Sequence, residues 1–372
     1  MISVDEARDL VRKNSHQLTP VKTSLRQALA AVLAEDVYAG SDIPAFHQSA
    51  MDGYAIAFSS WEKQGQLKIV GEIPAGESSP VSLQSGKAMK IFTGAPVPDG
   101  ADTVVIREHA EVKDDTLYIQ DKNLVRGKNV RSPGSEIKAG SLAAGRGTLL
   151  TPAVIGFLAG AGIGEVTIIP MPKVSLIVTG NELQPPGRPL KPGQVYESNS
   201  FTIKALLDQL YIPDLTIRHA VDKPGELGNI LGNAILNSDL VLLTGGVSAG
   251  DYDFVLQAAE QCGIKKIFHK VKQKPGKPLF YGTRDDHRPV FGLPGNPASV
   301  LTCFYEYVIP CIEILTGRKS LVQETRAALS KGYKKEPGLT FFLKGYAEGN
   351  RVTILDAQES YRMSSYARAN CL

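Results

Sequence analysis

Carboxylates and glycines crowd the ends of apolar runs in the second half of this 372-residue chain. The run Leu240 to Leu243 ends in Thr244-Gly245-Gly246, followed by Ser248, Gly250, Asp251 and Asp253. The run "KVSLIVTG" ends in Thr179-Gly180-Asn181-Glu182, and "LTIRHAV" ends in Asp222. Three successive strand ends thus each deliver an acid: Glu182, Asp222, and Asp251 or Asp253. Glycines there let the backbone turn tightly and expose N–H groups, which suits an anionic ligand at the start of the next helix. Converging carboxylates suit a hard cation such as Mg²⁺, which takes oxygen ligands and bridges them to phosphates. Each acid taken alone reads equally well as a helix cap.

A basic segment follows, "KKIFHKVKQKPGKPLFYG", with Lys265, Lys266, Lys270, Lys272, Lys274 and Lys277. Strand alternation would place Phe268, Lys270, Lys272 and Lys274 on one side, a row of ammonium groups that could face an anion. The alternative is an edge strand guarded by lysine against aggregation. A nucleic-acid stripe would need aromatic interleaving and a stronger charge than the net +3 found here. In "GLPGNPASV", Pro294-Gly295 shapes a turn, Asn296 can cap, Pro297 fits a first helical position and Ser299 offers a hydroxyl. Two earlier turns also stand out: Asp52 in "HQSAMDGYAI" and Thr93 at the head of "IFTGAPVPDGADTVV".

The elements that must hold these residues can be read from periodicity. Val4, Ala7, Leu10 and Val11 are spaced as a helix, and so are Leu25, Ala28, Leu29, Val32 and Leu33, with Ser24 and Gln27 as a capping box. Residues 1–40 and 139–168 are expected to form a helical and linking domain. Residues 41–138 carry short alternating runs broken by glycine and proline, the pattern of an inserted β-rich domain. From 169 to 318 strands and helices alternate, which argues for an α/β domain with a mostly parallel sheet and ligands beyond its carboxyl edge. Residues 319–372 read as a small C-terminal β domain. The fold class expected is therefore α/β and multidomain.

Composition narrows the partners. A charge balance of 41 basic to 38 acidic residues argues for neither nucleic acid nor a membrane surface. The first residues carry Asp5, Glu6 and Arg8 where a signal peptide needs an apolar core, and the longest stretch without polar side chains, Ala153 to Gly164, is too short for a bilayer. Cys262, Cys303, Cys311 and Cys371 form no C-x-x-C pair and are expected to be thiols in a reducing, cytoplasmic setting. No G-x-x-x-x-G-K-[ST] or G-x-G-x-x-G is present, so neither a P-loop kinase nor a dinucleotide fold is indicated.

Taken together, "SAMDGYA", "IFTGAPVPDGAD", "GKNVRSPGSEI", "VTGNEL", "YESNS", "TGGVSAGDYDF", "KQKPGKP" and "GLPGNPAS" occur in an order that resembles the molybdopterin molybdenumtransferases, the family that includes the E domain of gephyrin. The resemblance implies an enzyme that binds adenylylated molybdopterin, adds molybdate to its dithiolene and releases AMP, with Mg²⁺ assisting. It implies a homodimer in which the β-rich domain of one subunit covers the α/β domain of the other, so that Asp52 and Thr93 serve the partner's site. It gives catalytic roles to Asp52, Glu182, Asp222 and Asp253, the last three as metal ligands. Thr93, Thr179, Gly245, Gly246, Ser248, Gly250, Lys270, Pro294, Gly295 and Asn296 would bind molybdopterin and phosphate. Lys274, Lys277, Ser299, Lys344, Ser364 and Ser365 would hold molybdate. The molybdopterin adenylyltransferase is a candidate partner.

Departures from the family pattern are local. Glu136 stands where Asp is more frequent, Asn181 where Asp is common, and Lys344 where an arginine is usual, which gives up bidentate geometry for an oxyanion. The sequence stops at Leu372, ahead of residues that usually complete the last domain, which leaves the completeness of that domain open. Two other readings are a molybdopterin adenylyltransferase-like enzyme, whose loop is usually TGGTG where this chain has "TGGVSAG", and a non-catalytic gephyrin-like scaffold. Molybdate and tungstate, alike in size and charge, are not distinguished.

Overall fold

The computed structural model describes residues 1–76, 82–221, 224–246 and 254–372. Two compact units form: Met1–Lys22, Leu29–Ala34 and Thr167–Leu372 make one, and Thr23–Ala28 with Glu35–Val166 make the other. Residues 1–22 therefore group with the α/β unit.

In the α/β unit, helix α1 spans Val4–Asn14 and starts on Ser3, whose hydroxyl accepts from the Glu6 amide at 3.1 Å. The sheet is built from β1 (Val174–Thr179), β2 (Leu215–Ala220), β3 (Leu240–Thr244), β4 (Lys265–Lys270), β5 (Pro278–Thr283) and β6 (Pro289–Leu293), in the order β2-β1-β3-β6-β5-β4. The first four in that order are parallel, with Val174 paired to Leu215 on one side and Leu240 on the other. Strands β5 and β4 close the edge antiparallel. Helices α2 (Asn199–Gln209), α3 (Pro224–Asn237), α4 (Phe254–Gln261) and α5 (Pro297–Cys303) connect or follow these strands. Alternate residues of the strands feed two cores. Leu176 and Val178 pack with Ile203, Leu207, Val300 and Phe304 on one face, while Ile177, Val241 and Leu243 pack with Leu231, Ile235 and Val255 on the other. That double burial explains why β3 reads as an apolar run and why β1 is apolar but for Ser175, which is buried against Ser238, and its terminal Thr179. The α/β architecture with a mostly parallel sheet is the one expected from strand–helix alternation.

Helix α5 continues through a wide π-turn, Phe304–Val308, into a last segment, Ile309–Thr316. Pro310 lacks an N–H and its ring crowds the carbonyl four residues back, at Glu306, so the helix widens just there. Among the described residues, Pro297–Thr316 is one helix long and apolar enough to cross a membrane, but 83% of its most apolar 18-residue window is buried inside the protein's own core. A small three-stranded sheet lies near the C-terminus: Gly345–Glu348 runs antiparallel to Arg351–Ile354, which pairs in parallel with Ala328–Leu329.

The second unit is β-rich. Its six-stranded sheet runs in the order Thr103–Ile106, Gly53–Ile56, Lys87–Ile91, Gln66–Ile73, Thr116–Ile119, Ala110–Lys113. Both faces are covered: Ala55, Met89 and Val104 lie in one core, Ile56, Ala88 and Val105 in another.

Two expectations from periodicity are corrected. The helix expected over Leu25 to Leu33 is a single 3-10 turn, Leu25–Gln27. Ser24 does accept from the Arg26 amide, but Ala30 takes a positive φ of 62°, and Val32 and Leu33 pair with Ile169 and Ile168 as strand. Partners far along the chain thus override helical spacing. The shared face expected for Phe268 and the lysines also fails. Register irregularities between Lys266 and Lys270 shift the alternation, so Phe268 enters the core while Lys272 and Lys274 point outward.

A candidate active-site cleft and its surroundings

Three parallel strands deliver their ends to one cleft of about 700 Å³. Thr179, Gly180 and Glu182 come from the end of β1, Gly245 and Gly246 from β3, and Gly295 with Asn296 from the turn after β6. The glycines are needed where they stand. Gly245 and Gly246 have φ of +81° and +64°, and a Cβ on Gly245 would lie 2.6 Å from the Thr179 carbonyl oxygen. Gly180 has φ +143°, and a Cβ there would meet the Glu182 carboxylate at 2.9 Å, so its absence makes room for that carboxylate. Thr179 is itself buried, its hydroxyl donating to the Thr244 carbonyl at 3.3 Å.

Residues the sequence reading passed over complete the cleft. Leu183–Gln184 pairs with Val195–Tyr196 as a short parallel ribbon, and the chain then turns through Glu197, Ser198 and Asn199 into α2. Glu197 is buried. Its two oxygens accept from the Ser200 amide at 2.8 Å and the Ser200 hydroxyl at 2.5 Å, a capping arrangement that fixes the helix start. Asn199 donates its amide to the Gly295 carbonyl at 2.9 Å, tying the α2 turn to the β6 turn. The signal was present in "YESNS", read only as a matching motif. Asn296 does not cap α5 with its side chain as expected; its amide donates to the Ser360 hydroxyl at 3.1 Å. Tyr361 adds an aromatic wall.

The lysines lie on a separate support. Strands β4 and β6 point the same way, so Lys270, at the end of β4, and the connection to β5 stand at the carboxyl edge of the sheet, yet Lys270, Lys274 and Lys277 do not line the cleft. The connection is held from below. Gln273 is 1% exposed; its amide donates to the Pro275 carbonyl at 3.0 Å, and its carbonyl accepts from the Tyr307 hydroxyl in the π-turn. Gly276, with φ +87°, passes where a Cβ would meet Cys303 Sγ at 2.6 Å. The backbone is clamped on both sides, by Ile2 and by Thr340 and Phe342. Lys274 and Lys277 are left exposed on a rigid platform, Lys274 Nζ lying 5.6 Å from the Phe341 ring centroid.

The C-terminal residues expected at molybdate divide. Lys344 is 1% exposed and its ammonium donates to the carbonyls of Ala357 (2.7 Å), Arg362 (3.2 Å) and Glu359 (3.3 Å). An ammonium has three N–H donors, so all are spent on backbone, and the expected oxyanion contact is corrected on that ground. Burial pulls this ammonium below its ordinary pKa, with Glu359 acting in the opposite direction. Ser365 is buried likewise and donates to the same Ala357 carbonyl at 2.7 Å. Ser364 is exposed, Ser299 and Pro294 are buried, and none of the three lines the cleft.

In the β-rich unit, Asp52 and Thr93 meet. Asp52 Oδ1 accepts from the Thr93 amide at 2.7 Å and from its hydroxyl at 2.8 Å. These bonds, with Arg107 nearby, hold the exposed Asp52 carboxyl below its ordinary range. The turn depends on Gly53, where any Cβ would overlap the Val105 carbonyl of the neighbouring strand.

Asp222, Ser248, Gly250, Asp251 and Asp253 lie outside the described residues. Among the described residues no three His, Cys, Asp or Glu side chains are grouped to hold a metal ion. Glu182 does fit one carboxylate ligand of a Mg²⁺ ion: it is exposed at the cleft, and its carboxylate has no hydrogen-bond or ion-pair partner among the described residues. Among the described residues, the charged side chains lining the cleft are Glu182 and Glu197, both acidic.

Residues 2–162 match the family model described as MoeA N-terminal region (domain I and II), and residues 175–314 match that described as probable molybdopterin binding domain. The chain is 33% identical over 382 aligned positions to the molybdopterin molybdenumtransferase of Haemophilus influenzae, covering 100% of this chain and 93% of that protein. It is 37% identical to the molybdopterin molybdenumtransferase of Nostoc sp. over 83% of this chain and 72% of that protein. The solved molybdopterin biosynthesis moeA protein of Pyrococcus horikoshii is similar at TM-score 0.77 and 27% identity, over 100% of this chain and 94% of that one.

Proposed function

The chain belongs to the molybdopterin molybdenumtransferase family, and from that premise we propose that it is a transferase that inserts molybdate into adenylylated molybdopterin with release of AMP, in molybdenum cofactor biosynthesis. The observation that carries the reading is the cleft itself: Thr179, Glu182, Gly245, Gly246, Gly295 and Asn296, from three separate strand ends, line one cavity. The glycine turns let a phosphoanhydride approach the backbone, and the α2 turn fixed by Glu197 and Asn199 shapes the facing wall. Glu182, with Asp222 and Asp253, would hold Mg²⁺. When bound, the ion neutralises charge developing on the cleaved phosphate. Lys274 and Lys277, exposed on the loop stiffened by Gln273, attract the doubly negative molybdate. No protein nucleophile is needed, because the thiolates of the substrate are the groups that bind the metal oxide.

Asp52 and Thr93 serve a partner subunit in this reading, making the working unit a homodimer. The enzyme that supplies the substrate must be of the adenylyltransferase class. The four cysteines, all unpaired, agree with a cytoplasmic place. The test is molybdate-dependent AMP release from adenylylated molybdopterin by the wild type, by Glu182→Gln and by Asp253→Asn. Both variants are expected to keep the wild-type circular dichroism spectrum and to lose activity by about two orders of magnitude or more. Full activity in both would refute the carboxylate assignment.

A further inference from the structure

Tyr361 belongs to no motif that the function absorbs, yet it lines the cleft together with Asn296 and Pro297. At 63% exposed its ring is open to a ligand entering the cleft. The ring is not loose. Arg362 Cζ lies 5.5 Å from its centroid, and Arg362 is anchored in turn by Glu359 at 3.3 Å.

The turn that carries the ring is fastened from two sides. Beneath it, the Lys344 ammonium draws the carbonyls of Ala357, Glu359 and Arg362 together, and the single Ser365 hydroxyl proton goes to the Ala357 carbonyl at 2.7 Å, with that of Arg362 at 3.3 Å. Toward the cleft, Ser360 accepts from the Asn296 amide through its hydroxyl and from the Ala298 amide (3.2 Å) through its carbonyl. Residues 357–362 are thereby locked to the β6 turn that forms the cleft floor. A buried charge satisfied by three carbonyls is a specific device, and breaking it leaves those carbonyls unpaired.

We propose that Tyr361 is a ligand-contacting residue of the cleft, its ring stacking on the flat heteroaromatic part of the bound ligand, and that Lys344 is its positioning residue. The proposal rests on the reading of the cleft as the site for adenylylated molybdopterin, a ligand with two such flat parts, adenine and pterin. Stacking of an aromatic side chain on a heterocycle sets the two planes offset and roughly parallel, which needs a ring held at a fixed angle.

The test compares wild type, Tyr361→Leu and Tyr361→Phe by isothermal titration with AMP and with ribose 5-phosphate, and by steady-state kinetics with adenylylated molybdopterin. Tyr361→Leu is expected to weaken AMP about tenfold, with ribose 5-phosphate unchanged and Tyr361→Phe close to wild type; this assigns the ring to adenine. An unchanged AMP affinity with an about tenfold higher KM for adenylylated molybdopterin and unchanged kcat assigns it to the pterin. Equal weakening of ribose 5-phosphate, or no change with any ligand, overturns the proposal. Lys344→Met should produce the same loss as Tyr361→Leu, the double variant no further loss, and Lys344→Arg a recovery; additive losses overturn the positioning role. Should Lys344→Met fail to fold, Ser360→Ala takes its place in the same cycle. Wild-type protein that binds AMP without releasing it from the substrate refutes the activity and leaves the stacking standing, whereas binding of neither ligand overturns the reading of the cleft.

Discussion

Tyr307→Phe isolates the support beneath the lysine loop. The ring of Tyr307 is packed in the main core and keeps its volume in phenylalanine, so no cavity opens. What is lost is one hydroxyl, the donor to Gln273 Oε1. Gln273 is 1% exposed, so its oxygen cannot turn to water, and leaving a buried acceptor unpaired costs about 1–3 kcal/mol. The Gln273 amide still donates to Pro275, so the loop is loosened and not released. Urea unfolding should show a lower midpoint at unchanged slope, worth about 2 kcal/mol. Because Lys272, Lys274 and Lys277 ride on this segment, the KM for molybdate should rise about tenfold, the equivalent of ~1.4 kcal/mol, with the affinity for AMP unchanged. Adding Gln273→Met to Tyr307→Phe removes the stranded oxygen but also the donor to the buried Pro275 carbonyl, so it should recover little of the stability and none of the KM. A Tyr307→Phe protein within ~0.5 kcal/mol of wild type and with an unaltered KM would refute the reasoning.

Two further outcomes are expected. Asp52 sits below its usual value of 3.8 because Thr93 donates two hydrogen bonds to the ionised form. A depressed carboxyl contributes stability that is present above the unfolded pKa and lost as pH falls through the folded one. The difference in melting temperature between wild type and Asp52→Asn should therefore be constant at neutral pH and shrink below about pH 3.8; a gap that stays constant down to pH 2 contradicts this. Asp52→Ala and Glu182→Gln are each expected to be inactive alone. If Asp52 serves the partner's cleft, refolding the two variants together should restore AMP release through mixed dimers with one intact site, and continued inactivity of the mixture would argue against the shared site.

Much of the α/β unit was legible because its information is local. Leu240 to Leu243 is apolar without a break, and only a strand covered on both faces accepts that. The glycines at 245 and 246 announced a tight turn, which the structure makes with positive φ, and the cleft stands there. What was not legible depends on partners distant in sequence. Nothing within residues 25–33 reveals that Val32 and Leu33 pair with Ile169 and Ile168. The register shifts in β4 reversed the face of Phe268, a one-residue effect that alternation does not see. Lys344 matched a position attributed to an oxyanion, but the three carbonyls that occupy it come from a turn formed well after it in the chain. Tyr361 lies in no matching motif and Glu197 was read only as part of one, and their place in the cleft follows from the turns that Asn296, Asn199 and Ser200 hold.

The cleft draws its walls from points as far apart as Thr179 and Tyr361. A polypeptide leaves the ribosome from its amino end, so the glycine turns emerge long before the tyrosine that faces them. No nascent fragment ending short of that ring holds the whole enclosure, and a fragile sulfur-bearing guest therefore meets either an open half-shell or a finished chamber.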